Sequence, residues 1–309
     1  MSRLDDVEAR LDAKMMEIDA RIGVSPKVSA EFSSKMTVQQ SSAPDEIRAV
    51  VSMAAVSPTV SPEMWETSAN ELLQLMQYVC SSPHVTSNVK YAELPAKLHF
   101  NAKAADPTVN AFATLVNGSE PVIMLLGGAI RFANLVSAAY VGASAAKAKS
   151  GGKNPLPEIT AALGECCLRN KAVFSSATAC EFAQKYNLHL VMSDPALARK
   201  AKSFAAGLLI GILAHEFGHL ALDHCYGNRV NLEVSRNQER EADSFASSVI
   251  SSSPFGDYLV FGTILWEAVW VWVEEATGQV ATTHPLSRER LADLIRANPS
   301  VAAEFGLSA

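Results

Sequence analysis

The sequence lacks several features that define common classes of protein. Its cysteines are odd in number and show no C-x-x-C spacing, which argues against a disulfide scaffold and a four-thiolate metal site; they are Cys80, Cys166, Cys167, Cys180 and Cys225. The formal net charge is -6 and no basic run occurs, so we expect neither nucleic-acid binding nor a polybasic membrane anchor. These absences favour a reducing compartment, and we predict a cytoplasmic protein.

Long uninterrupted apolar runs are missing as well. A membrane-spanning helix needs roughly 20 consecutive apolar residues, whereas the most apolar stretches are interrupted by Arg131, by Glu267 and by a polar cluster that begins at His215. The first 23 residues are charged throughout, unlike a secretory signal peptide. We therefore expect no transmembrane segment and no signal peptide, and leave peripheral membrane contact open.

The domain organisation follows from composition. The chain has 309 residues and 49% hydrophobic content, which suffices for a sizeable core. Residues 1–23 predict an amphipathic helix, whose apolar stripe over residues 3–22 would pack on the same domain or mediate self-association. Residues 24–61 are linker-rich, and residues 62–309 are predicted to form the main domain, with an insertion at about 147–200.

The main domain is predicted to hold one hairpin and several helices. Two short apolar runs flank "NGSEP", where Asn117 and Gly118 suit a tight turn. Helices are predicted by apolar periodicity and by their end signals, at about 62–82, 129–146, 195–224, 235–253, 254–278 and 287–298.

The strongest chemical signal is "HEFGH", at the end of an apolar helix. His215 and His219 are four residues apart, so their imidazoles lie on one helix face and can bind one Zn²⁺. Glu216 lies beside that face, where it can act as a general base without being a ligand. A metal ion would also offset the desolvation cost of burying these groups in so apolar a helix.

A catalytic zinc ion has a third protein ligand and an open fourth position. The next predicted helix carries "NQEREADSFA", with Glu239 and Asp243 four residues apart on one face. Glu239 is the candidate third ligand, which leaves Asp243 one turn away to accept a hydrogen bond from His215 and orient it. A charged helix face is the alternative interpretation, and Glu241 is predicted to be a solvated charge.

Three further residues are secondary candidates. His224 is rotated away from the ligand face, and a structural hydrogen bond is predicted for it rather than metal ligation. His284, in a loop before the last helix, is a candidate catalytic residue that stabilises the oxyanion or fills the open zinc position; an ordinary loop histidine is an equal alternative. Arg290 is a candidate for an ion pair near the site.

"HEFGH" followed by "EREAD" resembles the gluzincin zinc metallopeptidases. Further stretches resemble the HtpX-like, CAAX-prenyl-protease-type peptidases in particular: "VNAFAT" at 109–114, "GHLALDH" at 218–224 and "THPLSRERLADL" at 283–294. The resemblance covers about residues 92–296. It implies an α+β, mostly helical, zincin-like metallopeptidase fold with a small antiparallel sheet beside the active-site helix.

The resemblance also implies roles for single residues. His215, His219 and Glu239 would be the zinc ligands, Glu216 the general base and Asp243 a residue that orients a ligand. An edge strand would pair with an extended substrate peptide, a role that an open sheet edge suits on physical grounds; it would be formed by Asn110, Ala111, Phe112, Ala113 and Thr114.

The chain departs from that family in three respects. Many relatives are integral membrane proteins, the stretch from the hairpin to the zinc helix is long because of the insertion at about 147–200, and the interval between His219 and Glu239 is short. The interval is closer to that of thermolysin and of the ImmA/IrrE-type regulatory peptidases, whose glutamate helix is echoed by "EREADSFA". This second family would not account for "NAFAT" or "THP".

The sequence therefore predicts a zinc-dependent endopeptidase with one Zn²⁺ per chain, acting on protein or peptide substrates. The alternatives are an ImmA/IrrE-like regulatory protease, a latent protease whose cleft is covered by His284 or the linker, and a non-catalytic binding protein on a metallopeptidase fold. A purely structural zinc site is disfavoured, because such sites have four protein ligands and are rich in cysteine.

Overall fold

The computed structural model describes residues 69–103, 109–148, 159, 185–226, 231–253, 256–277 and 287–304. The predicted helix over residues 3–22 and the linker-rich segment 24–61 lie outside the described residues. So do His284 and most of the predicted insertion. The described part of the chain is largely helical, with one small sheet.

The described helices pack around a single long one. In chain order they are α1 (Ala69–Cys80), α2 (Pro83–Thr86), α3 (Leu94–Lys97), α4 (Gly127–Ala148), α5 (Leu188–Ser193), α6 (Pro195–Ala221), α7 (Leu232–Ser251), α8 (Gly256–Thr277), α9 (Ser287–Ala297) and α10 (Pro299–Glu304). A 3₁₀ turn, His224–Tyr226, follows α6. The helices predicted between residues 129 and 298 are confirmed, with boundaries that differ by a few residues.

The sheet has three strands, β1 (His99–Lys103), β2 (Ala111–Val116) and β3 (Glu120–Leu126), in the order β1-β3-β2. β2 pairs with β3 in antiparallel fashion, but β1 pairs with β3 in parallel. The prediction of an antiparallel sheet was therefore wrong, and the sheet is mixed. The unpredicted strand is β1, of which only Ala102 is buried, so it carries no clear apolar alternation.

The predicted hairpin is confirmed. Asn117 and Gly118 join β2 to β3 with φ angles of 53° and 72°, and the Ser119 N–H donates to the Val116 carbonyl at 3.2 Å. Two positive φ angles are what a type I′ turn requires, and this turn matches the twist of the flanking strands. The hairpin fixes β2 at one edge of the described sheet, beside α6.

α6 is the central helix of the fold. Asp194 caps its first turn by accepting hydrogen bonds from the Ala196 and Leu197 N–H groups at 2.8 and 3.4 Å, and Pro195 occupies the first helical position, where no donor is needed. Side chains are buried all around the helix from Ala201 to Ala214, as expected for a helix without a polar face.

α6 is also the described helix that is long and apolar enough, by length and composition alone, to cross a membrane. However, 78% of the 18-residue apolar stretch of this helix is buried inside the protein. The helices α4, α7 and α8 and the strand β2 cover it. Its apolar character is thus accounted for by its position in the core.

The cap at Asp194 should contribute measurably to stability. Asp194→Ala removes the acceptor for two N–H groups at the start of the core helix, and we expect the free energy of unfolding to fall by about 0.5–2 kcal/mol. Asp194→Asn keeps a capping oxygen and should unfold close to wild type. Urea denaturation of the three proteins tests this, and equal midpoints for the two variants would contradict it.

Candidate metal centre

Two imidazole nitrogens and one carboxylate converge between α6 and α7. The Nε2 atoms of His215 and His219 lie 3.1 Å apart. The Glu239 carboxylate lies 3.2 Å from His215 Nε2 through Oε2, and 3.5 Å from His219 Nε2 through Oε1. Among the described residues, these three side chains form a group that could hold a metal ion.

The spacing of these atoms fits a four-coordinate cation. Zinc–ligand distances of about 2.0–2.1 Å with tetrahedral angles place two ligand atoms about 3.3 Å apart. The two Nε2 atoms, 3.1 Å apart, are close to this value. With one ligand atom from each of the three residues, the atoms lie within 4.8 Å of one another. Two histidines and one glutamate are also a donor set that leaves one coordination position open. The residues present therefore fit a divalent metal ion.

A close contact between α6 and α7 brings the ligands together. A Cβ atom built at Gly218 would lie 3.1 Å from both the Cα and the carbonyl oxygen of Ala242, so the two backbones nearly touch. Ala242 lies between Glu239 and Asp243 on α7, which places both acidic side chains against the histidine face of α6. The glycine inside "HEFGH" thus sets the distance between the helices.

Behind His215, an ionic chain joins four helices. Asp243 Oδ1 accepts a hydrogen bond from His215 Nδ1 at 2.8 Å. Arg290, on α9, donates to both Asp243 oxygens from Nε and Nη2 at 2.7 Å each. Arg290 Nη1 also lies 3.1 Å from Oε1 of Glu267, on α8. Asp243 thus contacts His215, and Arg290 forms ion pairs beside it; the role of Asp243 in orienting a metal ligand stays a prediction.

A third histidine, His224, lies against His219 because the chain turns back after α6. α6 ends at Ala221, and Asp223 has a φ of 64°, which reverses the chain after the helix. His224 Nδ1 lies 3.1 Å from His219 Nδ1, and His224 Nε2 lies 3.0 Å from Glu241 Oε2. His224 therefore makes a structural hydrogen bond, as predicted. Glu241 is exposed, as predicted, but one of its oxygens contacts His224.

Glu216 connects the metal centre to the sheet. Its Oε2 accepts a hydrogen bond from the backbone N–H of Ala113, in β2, at 2.7 Å. Burial raises the pKa of Glu216, while the positive charge that His215 and His219 can carry opposes the rise. A buried carboxylate with a raised pKa beside the ligand face is suited to take up a proton.

The predicted substrate strand lies at this same place. Residues 111–114 belong to β2, and Asn110 directly precedes it, with its Oδ1 accepting from the Ala111 N–H at 2.9 Å. Because the Ala113 N–H donates to Glu216, it points away from β3. In an antiparallel pair the N–H and C=O of one residue face the same side, so the Ala113 carbonyl also faces the site. Among the described strands, none covers this edge of β2.

The electrostatic field of the site favours positive charge. Burial lowers the pKa of His215, but its contacts with Asp243 and Glu239 outweigh burial, and its pKa is raised to about 10. Burial tends to raise the pKa of Asp243, yet hydrogen bonds from Arg290 and His215 hold it well below its usual range. A metal cation held by His215, His219 and Glu239 would place positive charge in the same field.

A cavity of about 360 Å³ opens next to His215 and Glu216. It lies between α6, α7, α8 and α9 and reaches the first residues of β2. Its wall is largely apolar and includes Ile212, Trp266 and Trp270. Polar and charged side chains, among them Asp243, Glu267 and Arg290, also border it. A cavity of this size with apolar walls and converging polar groups is typical of a ligand pocket.

The site also contains a residue that the sequence analysis did not select. Glu267 is 1% exposed, and burial raises its pKa to about 7, although Arg290 opposes the shift. The available signal was a single acidic residue within the apolar run "TILWEAVWVW". Its partner, Arg290, was predicted only as a residue near the site. His284, by contrast, lies outside the described residues.

Comparison with protein families gives a match over the C-terminal third of the chain. Residues 197–304 match the Peptidase U49 family, and this region contains the two histidines, both glutamates, Asp243 and Arg290. No curated protein and no solved structure matches the chain. The match supports a peptidase and thus a hydrolase. The narrower resemblance to HtpX-like peptidases stays a prediction.

The ionic chain behind His215 should be essential for stability. Arg290→Met leaves Asp243 and Glu267 buried without their guanidinium partner, and we expect a loss of about 3–5 kcal/mol in the free energy of unfolding. Arg288→Met is the matched control. Arg288 lies on the same helix, but its side chain is 73% exposed. Among the described residues, its ion pair is with Glu275, which is also exposed. Its effect should be within about 0.5 kcal/mol. Chemical denaturation giving equal losses for the two variants would contradict this account.

Proposed function

We propose that the protein is a zinc-dependent endopeptidase that hydrolyses peptide bonds in protein or peptide substrates. One observation carries the proposal: two imidazole nitrogens and a carboxylate that could hold a metal ion lie beside a second carboxylate, that of Glu216, which contacts the edge of a sheet. The match to a peptidase family over the same helices supports it. The odd number of cysteines without C-x-x-C spacing favours action in the cytoplasm.

The edge of β2 is the proposed binding surface for the substrate. An extended peptide can add to an open sheet edge through main-chain hydrogen bonds, which bind it without reading its sequence. The residues proposed to take part are Asn110, Ala111, Phe112, Ala113 and Thr114. The Ala113 N–H is 2.7 Å from Glu216 Oε2, so a peptide on this edge would lie with its backbone next to the proposed base.

The cavity beside the site would receive a substrate side chain. It borders the start of β2, His215 and Glu216, so a residue next to the bond that is cleaved can reach it. The walls formed by Ile212, Trp266 and Trp270 favour an apolar side chain, because burying apolar surface is favourable.

The proposed chemistry is the addition of water to the peptide carbonyl. His215, His219 and Glu239 would hold a zinc ion, which when bound lowers the pKa of water and polarises a carbonyl group. The carboxylate of Glu216 would take a proton from the water as the water oxygen bonds to the carbonyl carbon. It would then give that proton to the amide nitrogen as the C–N bond breaks, which releases a carboxylic acid and an amine. His284 is proposed to stabilise the oxyanion.

A single substitution separates catalysis from metal binding. Glu216→Gln keeps an oxygen that can accept the Ala113 N–H but cannot take up the proton, so we expect kcat to fall by at least about 100-fold. Zinc content, measured by mass spectrometry, should stay at one per chain. Glu233→Gln, an exposed substitution at the start of α7, should retain full activity.

The assay is the digestion of casein and of a peptide library by the full chain, with and without a chelator. Cleavage should stop when the chelator removes the metal and return when zinc is added. Full activity of Glu216→Gln would remove this residue from the mechanism. A zinc-loaded wild-type protein that cleaves nothing would instead favour the alternative of a binding protein on a metallopeptidase fold.

A further inference from the structure

The two histidines of the metal centre are supported from behind in different ways. His215 contacts a carboxylate, Asp243, directly. His219 contacts a second imidazole, that of His224, which in turn contacts Glu241 at the surface. We propose that His224 is a positioning residue which, together with Glu241, fixes the tautomer and the ring orientation of His219 for metal binding. This inference rests on the metal site of the proposed function.

The hydrogen bonds define one consistent set of proton positions. To hold a metal ion through Nε2, His219 must carry its proton on Nδ1. That N–H can donate across the 3.1 Å contact only if Nδ1 of His224 is unprotonated. His224 then carries its proton on Nε2, which donates to Glu241 Oε2 at 3.0 Å. The carboxylate at the end of the series accepts only, so it sets the direction of both bonds.

The geometry separates this role from metal ligation. His224 contacts the Nδ1 side of the His219 ring, whereas Nε2 on the other side lies 3.5 Å from Glu239 Oε1. The two imidazoles meet edge to face, with centroids 5.2 Å apart and an angle of 66° between the rings. The His224 nitrogens are both engaged on the side away from the three converging ligand atoms.

The backbone holds His224 in place. Asp223, in the left-handed conformation, directs the chain back along the last turn of α6, and its carboxylate lies 2.9 Å from Lys90 Nζ. The His224 side chain is 7% exposed, so it has little freedom to turn. Glu241 lies on α7, the helix that also carries Glu239. One helix therefore supplies both the proposed ligand Glu239 and the carboxylate that accepts from His224.

A neutral imidazole has an electrostatic advantage at this position. Three carboxylates, those of Glu216, Glu239 and Asp243, already surround the two histidines. A fourth carboxylate directly behind His219 would repel them at short range, where charge interactions are strong. A neutral His224 accepts a hydrogen bond from His219 and donates one to Glu241, so it links the two residues without a charge of its own. The carboxylate of Glu241 stays in contact with water.

The test is the zinc affinity of the full-length chain, measured by competition with a chromophoric chelator. His224→Phe keeps the ring but removes the acceptor, and we expect zinc to bind about 10–100-fold more weakly. His224→Asn places an amide oxygen near the former Nδ1 position, so it should restore most of the lost affinity.

A second pair of variants tests the outer end of the support without disturbing the core. Glu241 is 62% exposed, so its replacement does not threaten folding. Glu241→Ala should weaken zinc binding, whereas Glu241→Gln, which keeps an accepting oxygen, should bind zinc more tightly than Glu241→Ala. Glu233→Ala, an exposed glutamate on the same helix, is the matched control and should leave the affinity unchanged.

The outcomes separate this inference from the proposed function. Unchanged zinc affinity in His224→Phe and Glu241→Ala, with tight binding by the wild-type protein, overturns the inference alone. Equal and complete loss of zinc in His224→Phe and His224→Asn also overturns it, because a direct ligand would behave in that way. A wild-type protein that binds no zinc overturns the proposed function, and the inference with it.

Discussion

The close contact between α6 and α7 at Gly218 and Ala242 is the constraint on which the site depends. With the two backbones this near, the Glu239 carboxylate lies 3.2 Å from His215 Nε2 through Oε2 and 3.5 Å from His219 Nε2 through Oε1. A Cβ atom at position 218 would lie 3.1 Å from the Ala242 backbone, so a larger residue there would press the two helices apart by a few tenths of an ångström. The apolar part of α6 is buried in the core, and its polar end carries the side chains of the site.

The polar groups of the site lie in two different environments. Behind His215, buried charges balance one another across α6, α7, α8 and α9, because an isolated charge in such a core would be costly. Behind His219, the hydrogen bonds lead through His224 to Glu241 in water. The same site is therefore anchored in the core on one side and open to solvent on the other, with Glu216 and the edge of β2 between them.

Periodicity and end signals were sufficient to predict most of the described helices and the hairpin. The spacing of His215 and His219 also predicted one ligand face, with Glu216 beside it, because helical geometry is fixed over a single turn. The strand β1 was not predicted, since parallel pairing with β3 depends on contacts distant in sequence. Glu267 and the contact between His224 and Glu241 were missed for a related reason: tertiary packing decides which charges meet, and local pattern does not encode it.

The central claim is that one divalent cation lies between His215, His219 and Glu239. It is tested most directly by crystallising the full chain with zinc and recording anomalous diffraction at the zinc absorption edge. The account predicts one strong peak at about 2.0–2.2 Å from both Nε2 atoms and from the Glu239 carboxylate. A zinc ion bound elsewhere, or these three side chains found apart from one another, would contradict it.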